Sequence, residues 1–409
     1  MGLSGRERGM FTKASLIGLA LIVAGVAATR WVAPGPSATV DAPTVTATDS
    51  SAKGPEELRA EALKGDAKAQ YYLGLNYAFG EGVPVDPVQA VAWFRKAADQ
   101  GNREAQYFLG FAYHRGSGVE QDPNQAVYWL RKSAEQGYAE AQYLLGGYYA
   151  NGRGVPQDYA QSVAWFRKAA VQAPANKNDP EPGISMSQYN LGVAYAIGLG
   201  VPQNNAQAIE WYRKAAEQGN ADAQYNLGIA YYLGHGVKQD YAQAAVWLRK
   251  AADQKHAAAA YNLGVAYEKG NGVSQNGDQA IDWYRKAAEQ GYPEAQYNLG
   301  IVYITGQRVA QDLLQAASWF RKAADQGNTQ AQFNLAVLCL KAQGIASDPL
   351  EGYRWLSIAA QLGDMDSADA WGKISGMLPP AQLAEAQKSA KDWVATFKNR
   401  KPLAPFLLP

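Results

Sequence analysis

Cysteine is almost missing from this chain. Cys339 is the one thiol in 409 residues, so no disulfide can close within it. It lies in a helical, apolar stretch and reads as a small buried residue. Histidine is scarce too. His114, His235 and His256 fall in different parts of the sequence, and none has a neighbour at a metal-binding spacing such as H-E-x-x-H. Charge of one sign is lacking: 38 basic residues stand against 37 acidic ones. No strong field exists to draw in nucleic acid or an acidic surface. There is no G-x-S-x-G nucleophile signature. The G-x-G stretches lack the third glycine and the preceding strand of a dinucleotide site. No cofactor is called for, and nothing argues for an enzyme.

What the chain has instead is a period. Trp93, Trp129, Trp165, Trp211, Trp247, Trp283, Trp319 and Trp355 recur every 36 residues, except that Trp165 to Trp211 spans 46. A fixed period in this range marks a solenoid, whose units stack on their neighbours. Residues 223–254 show one unit. Its first half reads A-x-Y-x-L-G-x-x-Y, with Ala223, Leu227 and Tyr231 on one side of a helix. Gly234, Gly236 and Val237 form a G-x-G-V break. Asp240 sits where an N-cap belongs. In three units the equivalent Asp86, Asp122 and Asp348 precede Pro87, Pro123 and Pro349 at the first helical position. The second helix carries A-x-x-x-W-x-x-K-A-A and stops near a Q-G pair.

Each unit is therefore two antiparallel helices, and the fold class is all-α, an α/α superhelical solenoid. The tryptophans fall mid-helix among packing alanines and are expected in the core. Trp247→Ala should then cost on the order of 3–5 kcal/mol. The glycine of L-G, as at Gly74 or Gly228, costs a helix about 1 kcal/mol relative to alanine. Close approach of two helix backbones is the expected return. Ala336 replaces it in the eighth unit, which predicts a looser contact there. Acids such as Asp99, Glu135 and Asp253 follow Arg95, Arg131 and Arg249 by four residues, which predicts solvated pairs along each second helix.

This pattern closely resembles the Sel1-like repeat, a relative of the tetratricopeptide repeat. The likeness covers residues 65–363 as eight repeats. It implies a right-handed superhelix serving as an adaptor or scaffold, in a family with many bacterial and cell-envelope members. Some exported relatives carry a cysteine pair per repeat. This chain does not, which weakens transfer of the β-lactam-binding role proposed for them.

Residues 1–33 carry Arg6, Arg8 and Lys13, then an uncharged apolar run over 14–29. The run is intermediate in length between a signal-peptide core and a spanning helix. It is either a membrane anchor or a signal cleaved after Ala28. Both place the repeats outside the cytoplasm. The first would give a single-pass inner-membrane protein with periplasmic repeats, the second a periplasmic or secreted one. Residues 34–54 form a flexible Pro/Ser/Thr/Ala linker. Residues 55–64 read as an N-terminal capping helix. A polar, proline-containing insertion, 173–182, accounts for the long step and reads as a surface loop. Residues 364–409 hold degenerate capping helices and a tail.

One column suggests a partner site. The position before Leu-Gly holds Asn190, Asn226, Asn262, Asn298 and Asn334 in repeats four to eight, and Tyr72, Phe108 and Leu144 in repeats one to three. Its helical companions, four residues before and seven after, are mostly polar. The column is therefore expected to be exposed, as a two-zone groove for a partner protein or peptide. The amides would grip an extended backbone, and the other three residues would form an apolar strip. The opposing reading is that asparagine here is only surface polarity copied by duplication. Glu104 and Glu140, at equivalent positions of adjacent repeats, read as surface acids. The leading function is a non-enzymatic scaffold of the bacterial cell envelope. The alternatives are a cell-wall or saccharide-related binder or hydrolase, or a secreted host-interaction factor.

Overall fold

A computed structural model describes residues 55–173, 182–341 and 348–399. The anchor or signal at 1–33, the linker 34–54, nearly all of the insertion and the last ten residues lie outside that description. Among the described residues there is no strand, and no helix is long and apolar enough to cross a membrane. Eight helix pairs run in sequence order: 67–79 with 87–99, 103–115 with 123–135, 139–151 with 159–170, 182–197 with 205–217, 221–233 with 241–253, 257–269 with 277–289, 293–305 with 313–325, and 329–341 with 349–361. They fall into two compact bodies. One holds 55–230 with 234–238, the other 231–233 with 239–399.

The local chemistry explains the boundaries. The Asp86 carboxylate accepts from the backbone N–H of Val88 and of Gln89, both at 3.0 Å, and so caps the second helix of repeat one. That of Asp240 does the same for Gln243 at 2.9 Å. First helices end on a left-handed glycine, such as Gly116 at φ 71°, whose N–H donates to the Ala112 carbonyl.

The L-G glycines allow close packing of the pair. A Cβ on Gly146 would come within 2.7 Å of the Phe166 ring, and one on Gly192 within 2.4 Å of the Tyr212 ring. In repeat eight the contact is not looser, contrary to expectation. Ala336 is fully buried, and the missing Cβ has moved to the partner helix at Gly352. A Cβ there would meet the Ala336 carbonyl oxygen at 3.1 Å and Leu340 at 2.7 Å. The two small residues have exchanged helices.

In the N-terminal body, helix Pro55–Leu63 lays Leu58 and Ala62 on Ala69, Leu73 and Trp93. In the C-terminal body, helices Met365–Ile374 and Pro380–Lys398 close the array. Ala390 and Val394 are buried there, and Trp393 packs edge-on against Trp355 at 6.0 Å.

The tryptophans divide. Trp93, Trp129, Trp165, Trp283 and Trp355 are buried, whereas Trp211, Trp247 and Trp319 are half-buried. The lysine three residues on folds over the ring: Lys168 stands 3.8 Å from the Trp165 centroid and Lys250 4.1 Å from that of Trp247. The arginine between them bridges repeats. Arg131 donates to the Tyr149 hydroxyl at 2.7 Å and Arg167 to that of Tyr195 at 2.6 Å. Arg95 and Arg249 donate likewise to Tyr113 and Tyr267. These arginines tie one repeat to the next through tyrosine.

Candidate protein-interaction face

The column expected to be exposed is largely sunk. Phe108, Leu144, Asn190 and Asn334 are buried, Asn190 to 1 % exposure. Tyr72, Asn226, Asn262 and Asn298 are half-buried. A helical wheel places these residues on one face of their own helix, but the preceding repeat leans on that face. Phe108 packs against Tyr71 at 5.8 Å and stacks on Phe94 at 5.2 Å, both in repeat one. Asn226 hydrogen-bonds the Tyr212 hydroxyl. Asn298 bonds the hydroxyls of Tyr261 and Tyr284, and Asn334 that of Tyr297. Asn262 turns back on its own helix and donates to the Ala258 carbonyl at 2.8 Å. Neither amide atom of Asn190 has a hydrogen-bond partner. The residue of repeat three equivalent to Tyr212 is Phe166, which has no hydroxyl to offer.

The recurring buried amide is glutamine. Gln70, Gln106, Gln142, Gln188, Gln224, Gln296 and Gln332 are all buried. Each donates through Nε2 to an alanine carbonyl in the last turn of the preceding helix, at 2.9–3.1 Å. All of those carbonyls but that of Ala170 also accept the N–H of the turn glycine three residues on, as Ala98 does from Gly101 at 3.0 Å. The side-chain oxygen accepts in turn from the glutamine that follows the next second helix, which precedes a glycine in all but Gln172: Gln100 to Gln70 at 2.8 Å, Gln136 to Gln106 at 2.8 Å, Gln172 to Gln142 at 2.7 Å, Gln218 to Gln188 at 2.6 Å, and Gln326 to Gln296 at 2.9 Å. Two departures stand out. Ala260 occupies the glutamine position in repeat six. Leu362 occupies the Q-G glutamine position after repeat eight, and the Gln332 oxygen has no partner. The signal was available in the recurring A-Q-Y and Q-G pairs.

Along the line one turn nearer the start of each first helix, Lys68 is exposed in the N-terminal body and Glu104, Glu140, Met186 and Asp222 are half-buried, as are the neighbouring Tyr72, Phe111 and Tyr138. Arg103 pairs with Glu104 at 2.9 Å and stands 5.8 Å from the Tyr138 ring centroid. Tyr71, Tyr107 and Tyr138 all hold their protons far above the usual phenol range. Burial is the main cause, and the nearby Glu104 and Glu140 carboxylates add to it. In the C-terminal body the same line holds Ala258, Glu294 and Gln330. The face is therefore mixed in charge with aromatic patches, a composition that suits recognition of protein.

Two of the three histidines and the lone cysteine have structural places. His114 is buried against the Tyr148 hydroxyl at 2.8 Å, and His256 caps a helix by accepting from the Ala259 N–H at 3.1 Å. Among the described residues, no group of His, Cys, Asp and Glu is placed to hold a metal. Cys339 is fully buried, and burial, with Glu351 beside it, pushes its thiol up to about 11.

The Sel1 repeat family model matches eight segments: 67–102, 103–138, 139–172, 185–220, 221–256, 257–292, 293–328 and 329–364. A crystal structure of a protective antigen present in uropathogenic Escherichia coli strains, described as displaying an SLR fold, is 37 % identical with a TM-score of 0.70. The match covers 84 % of this chain and 72 % of that one. A Sel1 repeat protein from Oxalobacter formigenes is 33 % identical with a TM-score of 0.59, over 78 % of this chain and 89 % of that one. No curated protein matches the chain.

Proposed function

Because the chain belongs to the Sel1 repeat family, we propose that it is a non-enzymatic scaffold of the bacterial cell envelope, held at the membrane by residues 1–33. Sel1 repeat proteins generally mediate protein–protein interactions and are typically non-catalytic. The observation that carries the reading is the recurring line of partly exposed, mostly charged or polar side chains on the first helices. Glu104, Glu140 and Asp222 repeat at one register in the N-terminal body, beside Tyr72, Phe111 and Tyr138. A partner protein or peptide lies along that line. In that body the half-buried Asn226 contributes its outer edge rather than a continuous amide grip. The basic flank ahead of the uncharged stretch 14–29 supports export, with the start of the chain left in the cytoplasm.

Proximity labelling from the full chain in its own cell, compared between the native protein and a Glu104→Lys, Glu140→Lys, Phe111→Ala variant of unchanged helicity, tests the face. Envelope proteins should be labelled by the first and lost with the second. An identical set of labelled proteins would remove this face from the reading. Cell fractionation with N-terminal sequencing tests the anchor.

A further inference from the structure

The loop of the first repeat differs from those that follow. In repeats two to seven a glutamine in this loop donates through Nε2 to the carbonyl seven residues earlier. Gln121 donates to His114 at 2.7 Å, Gln157 to Ala150 at 2.8 Å, Gln203 to Ala196 at 2.8 Å, Gln239 to Tyr232 at 2.8 Å, Gln275 to Glu268 at 2.8 Å and Gln311 to Ile304 at 2.7 Å. Repeat one has Val85 in that place and cannot make the bond. Its side chain is instead 60 % exposed, alongside Phe79 at 43 % and Val88 at 62 %. Pro84 and Pro87 are exposed between them and stiffen the edge. Val85 gives up a recurrent hydrogen bond, and with Phe79 and Val88 it shows apolar surface to water.

Resting on the membrane-held reading above, we propose that this edge of Phe79, Val85 and Val88 sits in the interfacial layer of the bilayer. The argument is one of size and attachment. Three side chains are far short of the roughly 1,000 Å² that a free-standing protein interface needs. A second contact on an already tethered chain is effectively intramolecular and needs much less. Repeat one is also the repeat that follows the linker. The stretch 34–54, read above as a linker, has 21 residues, and a flexible chain of that length has a root-mean-square span of about 25 Å. Helix Pro55–Leu63 and the first helix of repeat one, nine and 13 residues long, come next and add at most about 14 and 20 Å. The edge is therefore within reach of the surface that residues 14–33 would enter. Exposed apolar residues of later repeats, such as Ile197 at the end of one helix and Leu314 at the start of another, lie far along the chain from residues 14–33.

The test uses the full chain with Cys339→Ala, reconstituted into phosphatidylethanolamine–phosphatidylglycerol vesicles. A polarity-sensitive fluorophore is placed at Val85→Cys or, as a control, at the exposed Gln382→Cys. The label at 85 should shift to the blue and be quenched at least twofold by headgroup-region nitroxide lipid, while the label at 382 stays aqueous. A Phe79→Ser, Val88→Asn pair should abolish the shift without releasing the chain from the vesicles. Carbonate-resistant binding with an aqueous signal at 85 would overturn the proposal alone. Failure to bind vesicles at all would overturn the membrane-held reading and this proposal with it.

Discussion

Gly118 of the second repeat presses on Pro87 of the first: a Cβ on Gly118 would stand 2.1 Å from the Pro87 carbonyl oxygen. The same meeting recurs between Gly154 and Pro123, Gly200 and Tyr159, and Gly272 and Tyr241. The second loop glycine is therefore both a turn residue, at φ 72° for Gly118, and a stacking surface. Gly118→Ala should lower stability by about 2 kcal/mol or more, because backbone strain and collision add. Gly101→Ala, at φ 91° with nothing within 4 Å of its Cβ, should cost only the strain, about 1 kcal/mol. Urea unfolding of both variants separates the two contributions. Equal losses would show that the loop does not bear on the preceding repeat.

Asn190 and Asn226 should respond in opposite directions to leucine. Asn190 is buried with both amide atoms unpaired, and the equivalent residue one repeat earlier is Leu144. Asn190→Leu should raise stability by about 1–2 kcal/mol, since a desolvated amide is replaced by apolar surface. Asn226→Leu should lower it by about 1 kcal/mol, by depriving the buried Tyr212 hydroxyl of its partner. Thermal melts of the two variants against the parent chain decide the matter.

Arg321 and Glu351 give a pH test. Cys339 stands where earlier repeats place the arginine-binding tyrosine, so Arg321 grips Glu351 instead, at 2.5 and 3.0 Å. The Trp355 ring N–H also donates to Glu351, at 3.1 Å. Burial raises the carboxyl pKa, but the hydrogen bonds from Arg321 and Trp355 outweigh it, and the net shift is downward. A lowered folded-state value means the contribution is complete above the unfolded carboxyl range, about 4.3, and is lost as pH falls through the folded value. Glu351→Gln should therefore lower Tm at pH 7, and the gap to the parent should narrow as pH drops below about 4. A gap that stays constant from pH 7 to pH 3 would contradict this.

Trp283 and Trp247 occupy the same register with different burial. Trp283→Ala should cost about 3–5 kcal/mol, whereas Trp247→Ala, half-buried, should cost less, on the order of 2 kcal/mol. Chemical unfolding of the two variants checks the order.

Much of this architecture is readable from residues alone. The 36-residue tryptophan register, the capping aspartates and the L-G glycines each impose a local geometry with few alternatives. The accessibility of the asparagine column was not readable in that way. A helical wheel ranks the faces of one helix, and it carries no information on how far Tyr212 or Tyr297 of the neighbouring repeat reaches across. The glutamine rail escaped for a different reason. A long polar side chain is ordinarily placed at the surface, and only its two partners, a carbonyl eight residues back and a second glutamine thirty ahead, make burial tolerable. Ala336 misled because the compensating Gly352 lies in the other helix.

Ala260 interrupts that rail once inside the C-terminal body. Lys255, at φ 64°, holds the turn just before it that glycine holds in the neighbouring repeats. Gln290, left without its usual amide, donates to the Lys286 carbonyl in its own helix at 3.0 Å, a bond its counterparts such as Gln218 and Gln326 make at 3.2–3.4 Å beside the amide one. The start of repeat six is thus joined to what precedes it by packing and turn bonds without the side-chain clasp used by its neighbours. Amide protons there should exchange ahead of those flanking Gln296, so the array would loosen first at an internal seam as well as at its frayed ends.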